Sequence, residues 1–296
     1  MPEGAPSKLL FIINPASGGK SRTDWESSIR SFFQNSGDTF EFLILTGEHD
    51  DQSILHWIER TNPDKVVAVG GDGTVSLVAK QLLGKNIPLG ILPAGSANGM
   101  ATELGLPLSA DEALSVISNG QVKTADVIRI NKNYYCLHLS DIGLNALLIK
   151  HFEEGNLRGK FGYATKVLKT LWTKSQMELD IKVGDNEDRV RALMVVLANA
   201  TKYGTGAVIN PEGNMYDGRF EVIVMKRLAL SELLKMWFRP QPFNPRKIRS
   251  YPATSVTITS KHRVHFQIDG EYLGKVNKIV AEVLTGKLQL IVPGIQ

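Results

Sequence analysis

At 296 residues the chain is long enough to divide into two cores rather than one. Its 43% hydrophobic and 22% charged residues exclude a disordered chain, and its single cysteine, Cys136, excludes a disulfide framework or a thiolate-rich metal site. A net charge of +4 favours anionic partners such as nucleotide phosphates or acidic headgroups, but no long basic run or aromatic-interleaved RNA motif is present, so nucleic acid is not an expected partner.

The opening MPEGAPSKLL lacks the basic-then-apolar order of a signal peptide. Nowhere do the roughly 18 consecutive apolar residues of a membrane span occur. The expectation is a cytoplasmic protein in a reducing compartment, without a transmembrane segment.

Along the first third, strands and helices alternate. Lys8 to Asn14 is an apolar run that ends in Pro15 and the small-residue loop ASGGK. Trp25, Ile29, Phe32 and Phe33 follow at helical spacing. Thr39 to Thr46 predicts a second strand, and Ile54, Trp57 and Ile58 mark a second helix. Lys65 to Val69 is a third strand leading into GGDGT, with a helix predicted from about Val75 to Leu83. Ile87 to Leu92 is a fourth strand, closed by PAGSANG before another helix. Ser109 and Glu112 have the spacing of a capping box for a helix running to Asn119-Gly120. Such alternation predicts a parallel sheet covered on both faces, with ligands at the carboxyl ends of its strands.

Beyond about Ala125 strand-like segments dominate: Val127–Ile130, Tyr134–Leu139, Leu179–Val183, Arg191–Ala198, Phe220–Met225, Ser255–Thr259, Val264–Ile268, Ile279–Val283 and Leu288–Val292. Two helices interrupt them, around Tyr163–Trp172 and Leu230–Phe238. A mostly antiparallel second domain, sandwich or barrel, is expected. The boundaries are set at 8–127 and 128–287, with the tail 288–296 allowed to pack back on the first domain.

Gly70-Gly71-Asp72-Gly73-Thr74 carries the strongest chemical signal. Glycines let a backbone approach a phosphate closely, and amides at a helix N-terminus attract an anion. Asp72 is then a carboxylate beside that phosphate, able to hold Mg²⁺ through water or to orient an acceptor hydroxyl. Asn14-Pro15-Ala16-Ser17-Gly18-Gly19-Lys20 and Gly95-Ser96-Ala97-Asn98-Gly99 follow the first and fourth strands. Neither fits the P-loop or the dinucleotide fingerprint. Three such loops on one sheet edge make a nucleotide crevice.

Together these segments resemble the diacylglycerol kinase catalytic-domain family, which includes bacterial lipid kinases and has sphingosine and ceramide kinases as relatives. The resemblance spans nearly the whole chain: INPASGGK, Thr46, GGDGT, LPAGSANGMATELGLP, Asp126, Gly143 in DIGLNA, Arg158, Tyr163, Asp217-Gly218, and Asp269-Gly270-Glu271. GGDGT alone would also suit NAD kinases and phosphofructokinases; the late DGR and DGE narrow it to lipid kinases.

The resemblance implies an α/β plus all-β protein. An NAD-kinase-like, doubly wound parallel-sheet nucleotide domain precedes an antiparallel β-sandwich domain, and the active site lies in the cleft between them. ATP would be lined by Asn14, Pro15, Ala16, Ser17, Gly18, Thr46, Gly71, Asp72, Gly73, Thr74 and Ser96. Glu271 would accept the proton of a lipid hydroxyl, with Asp269 beside it and Asp72 assisting. Strand alternation agrees independently: Val264, Phe266 and Ile268 form one face, and Gly270 permits a bend that aims Glu271. A turn at a strand end accounts for the same residues without chemistry. Asp217 would hold a second, structural Mg²⁺ with carbonyls of Asn214 and Arg219, although a plain turn suits Asp217-Gly218 too.

The chain departs from the family pattern at Gly99, which removes a frequent carboxylate, at Leu77, where Glu is frequent, and at His138, where Asn is frequent. The histidines His49, His138, His151, His262 and His265 lack metal-ligand spacing. The expected partner is a lipid substrate at a membrane surface, reached peripherally through Lys235–Arg249, with Lys166–Lys174 as the next segment; a homodimer is left open. The rivals are a soluble-substrate kinase of the NAD kinase type and a catalytically silent lipid- or nucleotide-binding protein.

Overall fold

The structure is a computed structural model that describes residues 6–17, 22–153, 176–203, 206–227, 232, 235–236 and 243–294. The chain forms two compact units, Met1–Ala125 with Gly286–Gln296, and Asp126–Thr285.

In the first unit β1 (Lys8–Ile13), α1 (Arg22–Phe33), β2 (Thr39–Ile44), α2 (Asp50–Thr61), β3 (Lys65–Gly70), α3 (Asp72–Leu82), β4 (Leu89–Pro93), α4 (Gly99–Glu103) and α5 (Ala110–Asn119) follow one another. The strands are parallel in the order β4-β3-β1-β2. The end of the last strand, β14 (Glu271–Val292), adds beside β4 where Leu290 pairs with Leu89. KLLFII is buried from Leu9 onward, as a strand covered on both faces must be. Its odd positions Leu9, Phe11 and Ile13 pack with Trp25, Ile29 and Phe33 of α1 and Leu114 and Ile117 of α5. The opposite face lies under α2 and α3, whose Ile54, Ile58, Val78 and Leu82 are buried. Phe11 touches the rings of Phe33, Phe40 and Phe42, so Phe11→Ala would cost about 3–5 kcal/mol. Because β2 lies on one side of β1 and β3 on the other, the chain reverses its winding between β1 and β3. That reversal opens a crevice outside the carboxyl ends of these two strands.

The second unit takes the end of β5 (Gln121–Ile130), then β6 (Tyr134–Cys136), β7 (Leu139–Gly143), α6 (Leu144–Glu153), β8 (Met177–Val183), β9 (Asn186–Ala192), β10 (Met194–Ala198), β11 (Phe220–Met225), β12 (Ile248–Ala253), β13 (Ser255–Ile268) and β14 to Thr285. Pairing is antiparallel along β12-β11-β10-β7-β13-β14. β13 is shared: its first half pairs β8, which pairs β9, and its last residues pair β7. Between these layers lies a core of Ile128, Ile142, Leu179, Ile181, Leu197, Phe220, Val222, Phe266 and Ile279.

Several predicted elements are redrawn. Tyr134–Leu139 is two segments, broken after Cys136 because the amides of Leu137 and His138 donate to the Asp269 carboxylate and not to a ladder; Leu139 opens β7 opposite Ala198. Arg191–Ala198 divides into β9 and β10 at Leu193, whose N–H donates to the Met225 carbonyl. Conversely, the two strands predicted at Ser255–Thr259 and Val264–Ile268 are one, with a shift of register between Thr259 and Val264. The two within 279–292 are also one strand. α3 begins at Asp72, not near Val75, with Gly71 as its N-cap. Ser109 does precede α5, but its side chain makes no capping bond, so the expected capping box is not formed. The predicted helix at 163–172 lies outside the described residues, as does most of the one at 230–238. Among the described residues no helix is long and apolar enough to cross a membrane.

Candidate active site

Every nucleotide-site residue predicted from the sequence, save Gly18, which lies outside the described residues, falls after the carboxyl end of one of the four parallel strands. Asn14, just past β1, donates from Nδ2 to Thr74 Oγ1 (3.1 Å) and accepts the Ala16 N–H at Oδ1 (3.0 Å). The Ser17 N–H closes the loop on the Asn14 carbonyl. Pro15 and Ala16 are exposed on it. Thr74 is buried in the first turn of α3, so one side-chain bond ties the loop after β1 to the loop after β3. The backbones after β3 and β4 meet directly: a Cβ on Gly95 would stand 2.5 Å from Gly71 Cα, closer than real atoms come. Only glycine fits there. Gly73 is exposed, with nothing within 4 Å of its Cβ position, which leaves the start of α3 accessible.

Asp72 has a role the sequence did not disclose. Its Oδ2 accepts the Gly99 N–H (2.8 Å) and its Oδ1 the Met100 N–H (3.0 Å), so it caps α4 and locks two glycine loops together. Asn98, in the left-handed region at φ 51°, bonds both the N–H and the carbonyl of Gly95 and shapes the loop that exposes Ser96. Thr46 stands apart from these bonds. Its N–H and that of Gly47 donate to Asp50, and its hydroxyl to the Glu48 carbonyl. Neither Asn98 nor Asp50 was singled out from the sequence. The only cue was an Asn-Gly pair in one case and an acid at a helix start in the other.

In the second unit Asp269-Gly270 is a two-residue hairpin turn between β13 and β14, with Ile268 paired to Glu271. Both turn residues have positive φ, 49° and 90°, as the tight mirror-type turn demands of Asp-Gly. The turn and the proposed chemistry are therefore not alternatives. The Asp269 carboxylate accepts three consecutive amides: Leu137 at Oδ2 (2.9 Å), and His138 (2.9 Å) and Leu139 (3.1 Å) at Oδ1. The Cys136 thiol lies 3.3 Å from Oδ1, and burial, followed by the Asp269 charge, pushes that thiol well up, so it stays protonated. Glu271 is exposed on the first residue of β14. One carboxylate is committed to backbone and its neighbour faces solvent.

Asn214, Asp217 and Arg219 share one turn. Asn214 Oδ1 accepts the Tyr216 N–H (3.1 Å), and Asp217 Oδ1 accepts the Arg219 N–H (3.0 Å). Among the described residues no cluster of three His, Cys, Asp or Glu side chains could hold a metal ion, so any cation here would depend on carbonyls and water. The donors that Asn214, Asp217 and Arg219 offer are oxygen only, with a single carboxylate, a chemistry that suits Mg²⁺. Burial, then the charges of Asp217 and Glu212, raises the Glu221 carboxyl above its ordinary range. The residues fit such an ion. Of the segment Lys235–Arg249, residues 237–242 lie outside the described set. Lys235 and Lys247 each sit 3.2 Å from the buried Glu232, which ties two of its cations inward.

Comparison with known proteins adds the following. Residues 8–130 match the family described as Diacylglycerol kinase catalytic domain, and residues 140–292 match the YegS C-terminal NAD kinase beta sandwich-like domain. A Yersinia enterocolitica protein named "Probable lipid kinase YegS-like" is 26% identical over 96% of both chains. The crystal structure of a diacylglycerol kinase from Bacillus anthracis superposes with a TM-score of 0.78 at 20% identity, covering 97% of each chain. An NAD kinase from Archaeoglobus fulgidus, in complex with ATP, superposes at 0.55 and 12% identity over 96% of this chain and 93% of the other. These structural likenesses establish the fold: an NAD-kinase-like domain followed by a β-sandwich.

Proposed function

The chain belongs to the diacylglycerol kinase catalytic-domain family, with the sandwich domain that follows it in YegS-type lipid kinases, and from that premise we propose that it transfers the γ-phosphate of ATP to the hydroxyl of a diacylglycerol-like lipid. The observation that carries the proposal is the exposed Glu271 carboxylate on a turn whose other carboxylate is fully occupied with holding that turn. The nucleotide phosphates rest on the exposed start of α3, where backbone amides and the helix dipole favour negative charge. Asn14, Asp72 and the Gly71–Gly95 contact hold that cradle in shape. Magnesium, if bound with the nucleotide, would supply charge neutralisation on the transferring phosphoryl group. Glu271 accepts the proton of the lipid hydroxyl as its oxygen bonds to the γ-phosphorus and the bond to ADP breaks. Asp269 positions and does not take the proton. A second Mg²⁺ on the Asp217 turn, with the Asn214 and Arg219 carbonyls, would be structural.

The test is transfer of label from γ-labelled ATP with Mg²⁺ into a membrane lipid extract. Label entering the organic phase, and lost in Glu271→Gln, supports the proposal. Label moving instead to NAD in the aqueous phase would replace the lipid with a soluble acceptor. Transfer to neither would leave a binding protein.

A further inference from the structure

Asp141 is a lone acid in the apolar strand LSDIG, only 1% exposed. Three donors converge on it, Asn145 Nδ2 at 2.6 Å, the Ala146 N–H at 2.9 Å and Gln267 Nε2, and the Tyr203 hydroxyl lies near enough to act on its charge. No cation is among them. Gln267, also 1% exposed, uses its other end to accept the Gly270 N–H at 2.9 Å. An unbroken chain of bonds therefore runs from a buried carboxylate to the middle of the turn that carries Glu271. We propose that Asp141 is a positioning residue for Glu271, acting through Gln267 on the Asp269–Gly270 turn. The inference rests on Glu271 being the proton acceptor.

The direction of each bond explains why an acid is needed. Asp141 offers only acceptors, which forces Gln267 to turn its NH₂ toward Asp141 and its carbonyl toward Gly270. An acid that gained a proton would present a donor to the Gln267 NH₂. The amide would then flip, set its own NH₂ against the Gly270 N–H, and release the turn. Burial raises the Asp141 carboxyl to about 6, which its hydrogen bonds only partly oppose. The titratable groups that face it are the Tyr203 hydroxyl and, more remotely, the Cys136 thiol, both pushed well up by burial and so neutral at this pH. Asn145 on α6 and Gln267 on β13 do not titrate. Near pH 6 the turn should change hands.

Asp141→Asn reproduces the flip at every pH, because the new NH₂ faces Gln267. We expect kcat to fall at least tenfold at pH 7.5 while the KM for ATP stays within twofold, and the acidic limb near pH 6 to vanish from the rate profile. The double variant Asp141→Asn with Gln267→Glu restores the pattern, since a carboxylate at 267 accepts both from the introduced amide at 141 and from the Gly270 N–H, and should recover most of the lost kcat. Labelled transfer to a membrane lipid extract is the assay. A measurement on the unaltered protein stands beside it should a variant not fold. Asp-Gly occurs only at 72–73, 217–218 and 269–270, so ¹³C-carbonyl-Asp with ¹⁵N-Gly labelling isolates three amides by NMR. The Gly270 amide should titrate with a midpoint near 6 and lose that step in Gln267→Ala. Kcat within twofold of wild type in folded Asp141→Asn, or a Gly270 amide flat from pH 5 to 7, overturns the proposal. Activity retained in Glu271→Gln is a separate result that removes the proton-acceptor assignment and leaves the Gly270 titration to be decided alone.

Discussion

The loop GGDGT in the first unit and the turn DGE in the second both place an aspartate beside glycine, and both aspartates bind backbone amides. Asp72 takes two amides and joins two loops; Asp269 takes three and joins a turn to a strand break. They differ in what stands next to them. Beside Asp72 the chain offers Gly73 and the amides of a helix start, a surface for an anion. Beside Asp269 it offers Gly270 and then an exposed carboxylate, a surface for a proton. An acid in a glycine-rich motif can therefore be architectural in both places, with the chemistry delegated to what it holds still.

Isosteric removal of charge separates the two roles. Glu271→Gln should lower turnover by roughly two orders of magnitude or more while leaving the melting temperature unchanged. A parallel loss of stability would mean that Glu271 is structural after all. Asp269→Asn and Asp72→Asn should differ from it in kind: each sets an NH₂ against a backbone N–H, should cost about 1–3 kcal/mol in denaturant unfolding, and should lower turnover only as a consequence of loosening the turn or loop that it holds. Stability equal to wild type in either would break the comparison. If the Asp217 turn binds Mg²⁺, EDTA should lower the melting temperature without nucleotide by an amount worth about 1 kcal/mol, and Asp217→Ala should show no further loss on chelation.

The smallest expected effect is a pH dependence. In the folded chain the Asp141 carboxyl is raised to about 6 from an ordinary 3.8, so its ionised form is disfavoured by folding, fully so above pH 6. Wild type should thus gain stability relative to Asp141→Asn as pH falls through 6, by about 0.8 kcal/mol between pH 7 and 5.5. A difference that is flat across that interval would mean the group does not titrate there.

Much of this was legible in the amino acids. Strands such as KLLFII and LGILP announce burial on both faces by composition alone, and glycine-rich loops at strand ends mark the crevice. What escaped notice was bonding across long sequence separations. Nothing in YYCLHLS shows that Asp269, more than a hundred residues later, will claim three amides and break the strand. Nothing in KHRVH shows that the strand will run through it while its register against β14 shifts. The same holds for the bonds from the Gly99 and Met100 amides to Asp72, which the sequence gives no sign of. Asp141 carried a cue, since a lone charge in an apolar strand needs partners, but those partners lie on three other segments.

The hairpin that presents Glu271 has only two residues in its loop, and in a β-ladder the direction of a side chain follows odd or even position. Glu271 points where it does because Ile268 is its pair and Asp269-Gly270 is the shortest bridge between them. Insertion of one glycine after Gly270 would keep every residue type and reverse the parity of β14 from its first position, sending the carboxylate to the opposite side of the sheet. Insertion of two would restore the parity at the cost of a looser loop. Activity lost with one added residue and partly regained with two would identify the turn as a counting device, in which chain length rather than side-chain identity decides where the proton goes.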